Sequence, residues 1–204
     1  MITSRHNVNR SLAVTTAPLV LLALCGLLSG CNTSDIPTME DPLVARVDAQ
    51  SLASSAVERD RAGKQDEAIA LNRQAIARYR DLPQAWYNLG VLLLEKDQAL
   101  EAAEAFRVAS ELMPTDPRPM KALGDVWAKQ SYYDEAAKYY AQALERSENY
   151  LPALRESIRV DHIRDKRTEV SAERIQRALM LETDTIWREF FLRQKQITDR
   201  LLKR

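Results

Sequence analysis

The chain has 204 residues, with 29 Lys plus Arg against 29 Asp plus Glu. A formal charge of zero leaves no basic footprint for nucleic acid, and 46% hydrophobic with 28% charged residues lies outside the composition of disordered chains. Five glycines are too few for a β-sandwich or a glycine-rich phosphate loop, both of which need many positive-φ positions, so helices are favoured.

Residues 1–30 read as a signal peptide. Arg5 and Arg10 supply a positive start without any acid, and Ala17 to Leu28 is an apolar run of twelve residues. That run covers about 18 Å as a helix, whereas a bilayer core needs about 20 residues. Leu28 is too large for the −3 position of an ordinary cleavage site. Leu28-Ser29-Gly30-Cys31 instead resembles the bacterial lipobox, which implies cleavage before Cys31 and lipid on that cysteine. The resemblance also implies a protein exported and held at a membrane by its N-terminal lipid. By resemblance to proteobacterial sorting, Asn32 favours the periplasmic side of the outer membrane. Cys25 then leaves with the signal and Cys31 takes the lipid, so stability is expected to come from packing without disulfides.

Residues 31–48 carry Pro37, Pro42 and four acids with no helical period. They are expected to be a flexible tether with a reach of about 20 to 25 Å.

From position 49 three windows of 34 residues align without a gap: 49–82, 83–116 and 117–150. The second window places Trp86, Leu89, Gly90, Leu93, Ala102, Phe106, Ala109 and Pro114 at its positions 4, 7, 8, 11, 20, 24, 27 and 32. The third places Met120, Leu123, Gly124, Trp127, Ala136, Tyr140 and Ala143 at the first seven of these, with Glu148 in place of the proline. In the first, Leu52, Ser55, Ala56, Ala68 and Ala75 fit by size, but Arg59 and Asn72 stand at positions 11 and 24, where Leu93 and Phe106 or Trp127 and Tyr140 stand in the others. This pattern resembles the tetratricopeptide repeat. The resemblance implies an all-α solenoid of antiparallel hairpins stacked as a right-handed superhelix, with peptides or proteins as partners.

Positions 4, 7, 8 and 11 share one stripe of a helix, as do positions 20, 24 and 27 of the next. Alanine or glycine at 8, 20 and 27 is expected because two backbones approach closely there. Helices are expected at 49–62, 66–79, 83–96, 98–112, 117–130 and 133–146. Pro83 and Pro117 start helices, where a missing amide hydrogen costs nothing.

Residues 151–204 are expected to form a degenerate fourth repeat and capping helices. A helix over 151–164 turns Leu154 and Ile158 inward. A second, over 168–181, carries Val170, Ala172, Ile175, Ala178 and Leu179 with a one-residue offset. A last one, over 184–203, lines Ile186, Trp187, Phe190, Phe191, Ile197 and Leu201 along one side.

No nucleophilic cysteine, Gly-x-Ser-x-Gly, P-loop or dinucleotide motif is present. His162 is expected to be a solvated helix residue. No enzyme activity, metal or cofactor is therefore expected. Function falls to the groove lined by the first helix of each repeat: Gln84, Tyr87, Asn88, Val91, Leu94 and Glu95, then Arg118, Lys121, Ala122, Asp125, Ala128 and Lys129. Tyr87, Val91 and Leu94 beside Arg118, Lys121 and Lys129 suit a peptide with an acidic flank. The carboxylate clamp by which the family captures chaperone C-termini is matched in type by Asn88 and Arg118 but not by Ala53, Val57 and Ala122. The expectation is a membrane-anchored, non-enzymatic scaffold that binds other envelope proteins. A structural lipoprotein whose groove is filled by its own C-terminal helices, or a pilus-assembly pilotin, are the alternatives.

Overall fold

The computed structural model describes residues 41–203. The expected signal peptide, Cys31 and the first part of the tether lie outside them. The described residues form helices α1 (Pro42–Arg61), α2 (Gln65–Arg78), α3 (Pro83–Glu95), α4 (Ala99–Leu112), α5 (Arg118–Lys129), α6 (Tyr133–Arg146), α7 (Leu151–Ile163), α8 (Glu169–Leu181) and α9 (Thr185–Leu202), with no strand among them. From α2 onward every boundary lies within one residue of the expected one.

Residues 42–48, expected to belong to a flexible tether, are already helix. Asp41 caps α1 by accepting the Leu43 N–H at 2.9 Å, and Pro42 sits at the first helical position, where its fixed φ suits a helix start. Leu43, Val44 and Val47 remain exposed on this added turn, so its lack of an amphipathic period hid it.

Successive helices pair as hairpins α1–α2, α3–α4, α5–α6 and α7–α8, and each hairpin packs on the next. The odd-numbered helices also touch one another along the stack, whereas the even-numbered ones do not. The odd helices therefore line the shorter, concave side. One turn geometry recurs: positive φ falls at Gly63 (74°), Asp97 (61°), Ser131 (64°) and Asp165 (52°), always 34 residues apart. Next to each, an N–H reaches back five residues: Lys64 to Arg59 O, Gln98 to Leu93 O and Tyr132 to Trp127 O, each at 2.9 Å, and Lys166 to Asp161 O at 3.0 Å. These bonds satisfy carbonyls that a helix end would leave open.

The small residues fall where the repeat needs them. Ala68, Ala75, Ala102, Ala109, Ala136 and Ala143 are all fully buried. Gly90 and Gly124 correct one expectation, since what presses on them is a ring and not a backbone. A Cβ on Gly90 would meet Phe106 at 2.7 Å, and one on Gly124 would meet Tyr140 at 2.4 Å. The ring at position 24 covers the helix at position 8.

The fourth hairpin keeps phase through Asp165 and then slips by one residue. Ser171, Ile175 and Ala178 are its buried positions, each one residue later than a copy of Ala136, Tyr140 and Ala143. Val170, expected inside, is exposed. Position 11 is here the buried Asp161, which accepts the Ser171 hydroxyl at 2.8 Å and lies 3.5 and 3.6 Å from the Arg164 and Arg174 guanidinium groups. The fourth repeat therefore encloses an ion cluster where the second encloses Leu93.

On α9 the expected stripe holds only at Trp187, Phe190 and Phe191. Phe191 is fully buried, with Trp187 and Phe190 packed beside it. Ile186 before them is exposed, and beyond them Gln194 and Thr198 face inward while Ile197 and Leu201 are exposed. The inward face points at the polar end of the fourth repeat, so polar residues continue it.

Candidate functional site

The concave face is built from one stripe of α1, α3, α5 and α7. At the α1–α3 end, Gln50, Ser54, Gln84 and Asn88 line an open cleft over Ala53, Val57 and Leu82. A second cavity follows, lined by Ala56, Val57, Asp60, Asn72, Tyr87, Asn88, Val91 and Leu92. Pro83 at the start of α3 sets the phase that turns Gln84, Asn88 and Val91 to this face and Ala85, Leu89 and Leu92 to the core.

The centre of the groove is a ring-and-charge network. The Tyr87 ring packs against Phe106 with centroids 5.6 Å apart, and the Arg118 guanidinium lies over the same ring at 5.5 Å from its centroid. Arg118 is itself held by Asp116, whose carboxylate takes its Nε at 2.9 Å and its Nη2 at 2.6 Å. Those bonds hold the Asp116 carboxyl below the usual range. One turn on, Lys121 donates to Asp125 at 2.7 Å, and the Tyr140 hydroxyl donates to the other oxygen of the same carboxylate at 2.9 Å. Burial raises the Asp125 pKa, against the pull of Lys121 and Tyr140. Burial likewise raises the phenols of Tyr87, Tyr140 and Tyr150, so all three are neutral donors at physiological pH.

The expected groove residues divide. Gln84, Tyr87, Asn88, Val91, Arg118, Lys121 and Asp125 share the concave stripe. Ala122 is buried in the core. Lys129 is drawn away to the end of α3, where its ammonium donates to Leu94 O at 2.7 Å and pairs with Asp97 at 2.5 Å. A cation at a helix C-terminus complements the exposed carbonyls, so Lys129 and Leu94 form a seam between repeats. Arg118 and Lys121 are each paired within the protein. The groove therefore offers a neutral, ring-lined centre more than free positive charge.

Sequence reasoning missed Asp116, Tyr150 and the pair of Glu156 with Arg159, which carry the stripe onto α7. Asp116 and Tyr150 lie in the loops before α5 and α7, where helical periodicity gives no signal. It also missed Asn72, although its departure from the aromatic at position 24 was visible. His162 is exposed, with the Arg167 guanidinium 3.0 Å from its Nδ1. Among the described residues no group of three or more His, Cys, Asp or Glu could hold a metal ion, and no helix is long and apolar enough to cross a membrane.

α9 packs on α8 and α7, and neither α8 nor α9 touches α3 or α5. The C-terminal helices thus extend the stack and leave the Tyr87 stripe uncovered. This speaks against the alternative of a groove filled by its own C-terminal helices, because α9 follows α7 in the concave row instead of folding back.

No family model matches the chain, and no curated protein matches it. Solved structures do. The chain is 17% identical to the crystal structure of MamA, with a TM-score of 0.60 over 65% of this chain and 77% of that one. It is 18% identical to TTC0263, a thermophilic TPR protein of Thermus thermophilus, with a TM-score of 0.57 over 75% and 84% of the two chains. The fold is the tetratricopeptide solenoid. The first TPR of Spaghetti (RPAP3), solved bound to the HSP90 peptide SRMEEVD, matches at 20% identity and a TM-score of 0.55, over 57% of this chain and 93% of that one. These likenesses join the 34-residue turn geometry as independent signs of the same architecture.

Proposed function

We propose that the chain is a non-enzymatic adaptor that holds a segment of another protein in its concave groove while a lipid on Cys31 keeps it at a bacterial membrane, the periplasmic face of the outer membrane being favoured by Asn32. The observation that carries the binding role is the stripe on α3 and α5 that neither α8 nor α9 touches, with the Tyr87 ring in contact with both Phe106 and Arg118. The paired state of Arg118 and Lys121 argues against a chaperone-type carboxylate clamp, which needs free cations. It favours a partner read through apolar and amide contacts.

The binding role is tested by placing a photo-crosslinking residue at Asn88 in the groove, or at the exposed Gln74 on α2, in the native host. Discrete adducts from position 88 that are absent from position 74 support the groove. Equal adducts from both, or none, would overturn it. The anchor is tested separately by Cys31→Ala, which should accumulate as an unprocessed precursor. Normal maturation and membrane retention of that variant would remove the lipid from the proposal.

A further inference from the structure

The concave row changes character on its last helix. α9 keeps the register of α7, since the inward-packed Trp187, Phe191 and Gln194 follow the buried Ala153, Ser157 and Val160 at the 34-residue period. Ile186, Phe190, Arg193 and Ile197 therefore stand three periods after the groove positions Gln84, Asn88, Val91 and Glu95. At about 100° per residue, Ile186, Phe190, Ile197 and Leu201 fall within an arc of roughly 60°, in a strip about 22 Å long. Ile186, Ile197 and Leu201 are 76%, 37% and 47% exposed. The Phe190 ring lies among them, edge-on to Trp187 and His162 with centroids 5.9 and 6.0 Å away. α9 packs on α8 and α7, and no other helix among the described residues covers the strip.

The charges along this strip also differ from those of the earlier rows. There Arg118 is held by Asp116, Lys121 by Asp125 and Arg159 by Glu156. Arg193 and Arg200, which border the strip on its outer edge, have no side-chain hydrogen bond or ion pair among the described residues. Between residues 185 and 204 six Lys and Arg stand against two Asp and Glu.

We infer that this strip seats an acidic amphipathic helix supplied by a partner protein. Positions 186, 190, 193, 197 and 201 advance by four, three, four and four residues, close to the seam spacing of two packed helices, so an apolar seam on the partner can follow the strip from end to end. Acids beside that seam would meet Arg193 and Arg200, which no carboxylate of this chain claims. A second copy pairing through the same strip would bring the two copies of Arg193 together whichever way it ran. A planar bilayer fits less well, because the strip lies on the concave side of the stack. The strip is separate from the stripe on α3 and α5, and the inference stands or falls without it.

The test is fluorescence anisotropy on the full chain with two labelled helical peptides of three heptads each, both with leucine along the seam, one with glutamate and the other with lysine at the flanking positions. The glutamate peptide should bind roughly tenfold more tightly, about what two exposed ion pairs supply. Arg193→Glu with Arg200→Glu should reverse that preference. Ile197→Asp with Leu201→Asp should abolish binding of both peptides while melting with the parent, since both side chains are exposed. Equal binding of the two peptides, or binding that survives the double Asp variant, would overturn the proposal. So would failure of both to bind. In that case, a dimer in sedimentation velocity that the double Asp variant dissolves would assign the strip to a second copy, and firmer retention on phosphatidylglycerol than on phosphatidylcholine vesicles, lost in the double Glu variant, would assign it to lipid. Photo-crosslinking from position 88 reports on the α3 and α5 stripe alone, so the two readings can fail separately.

Discussion

Gly124 and Tyr140 share one volume: a Cβ on Gly124 would lie 2.4 Å from Tyr140 Cε1, and the Tyr140 hydroxyl is tied to Asp125 at 2.9 Å. The ring cannot retreat without stretching that hydrogen bond. Phe106, over Gly90, has no such tie.

Gly124→Ala is therefore expected to destabilise the protein more than Gly90→Ala. Overpacking costs about 1 to 3 kcal/mol and opposes the gain of about 1 kcal/mol from replacing a helical glycine. The net is a loss of up to about 2 kcal/mol at Gly124 and near zero at Gly90. Urea unfolding of both variants measures the difference, and an equal effect would show that the ring moves freely.

Glu182 follows α8 with its side chain 1% exposed, and its carboxylate takes Arg155 Nε and Nη2 at 2.7 Å each. It also accepts the N–H groups of Thr183 and Asp184 at 3.0 and 2.9 Å. The Arg155 hydrogen bonds lead in holding its pKa below the ordinary 4.5. A lowered carboxylate gives stability that is complete above the unfolded value and lost as pH falls through the folded one. Glu182→Gln should cost about 3 kcal/mol at neutral pH, and its loss of stability below pH 4.5 should be shallower than the parent's. Parallel acid-denaturation curves for the two proteins would contradict this.

Asp125 has the opposite sign. Burial raises its pKa above the ordinary 3.8, so its favourable contribution is present below that value and lost as pH rises through the folded one. Asp125→Asn keeps an acceptor for Tyr140 and removes the titration. Stability at pH 7 should change by less than about 1 kcal/mol, and the fall as pH rises above 3.8 should flatten. A loss well beyond that would mean that the Lys121 pair outweighs its desolvation.

Phe191 closes the end of the stack against α7 and α8. Phe191→Ala should cost about 3 to 5 kcal/mol, and deletion of residues 184–204 should give an insoluble product, since it uncovers that core. A soluble, cooperatively melting truncation would show that the fourth hairpin closes itself.

The part of the fold legible in the sequence was the part held by shape. Trp86, Gly90, Ala102, Phe106 and Ala109 recur because a helix crossing admits few sizes, so period and boundaries could be read from them. The start of α1 could not be, because its apolar residues Leu43, Val44 and Val47 are exposed and no amphipathic stripe marks it. On α9 the pattern misled beyond Phe191, since the surface it meets is the polar cluster around Asp161, a neighbour known only in three dimensions. In the groove, residue types predicted the face but not the pairing. Lys129 looked like a groove cation, and only the fold shows that Leu94 O and Asp97 claim it. Asn72 looked like a defect of the first repeat, and only the fold shows that it borders a cavity beside the groove.

The left-handed turn at residues 63, 97, 131 and 165 is made by glycine once and then by Asp, Ser and Asp. The rhythm of the stack is thus carried by dihedral angles that different side chains can satisfy. Mutational drift on the outer surfaces can erase letter-by-letter kinship while the coil keeps its pitch. A protein built this way is more readily recognised by superposition than by spelling.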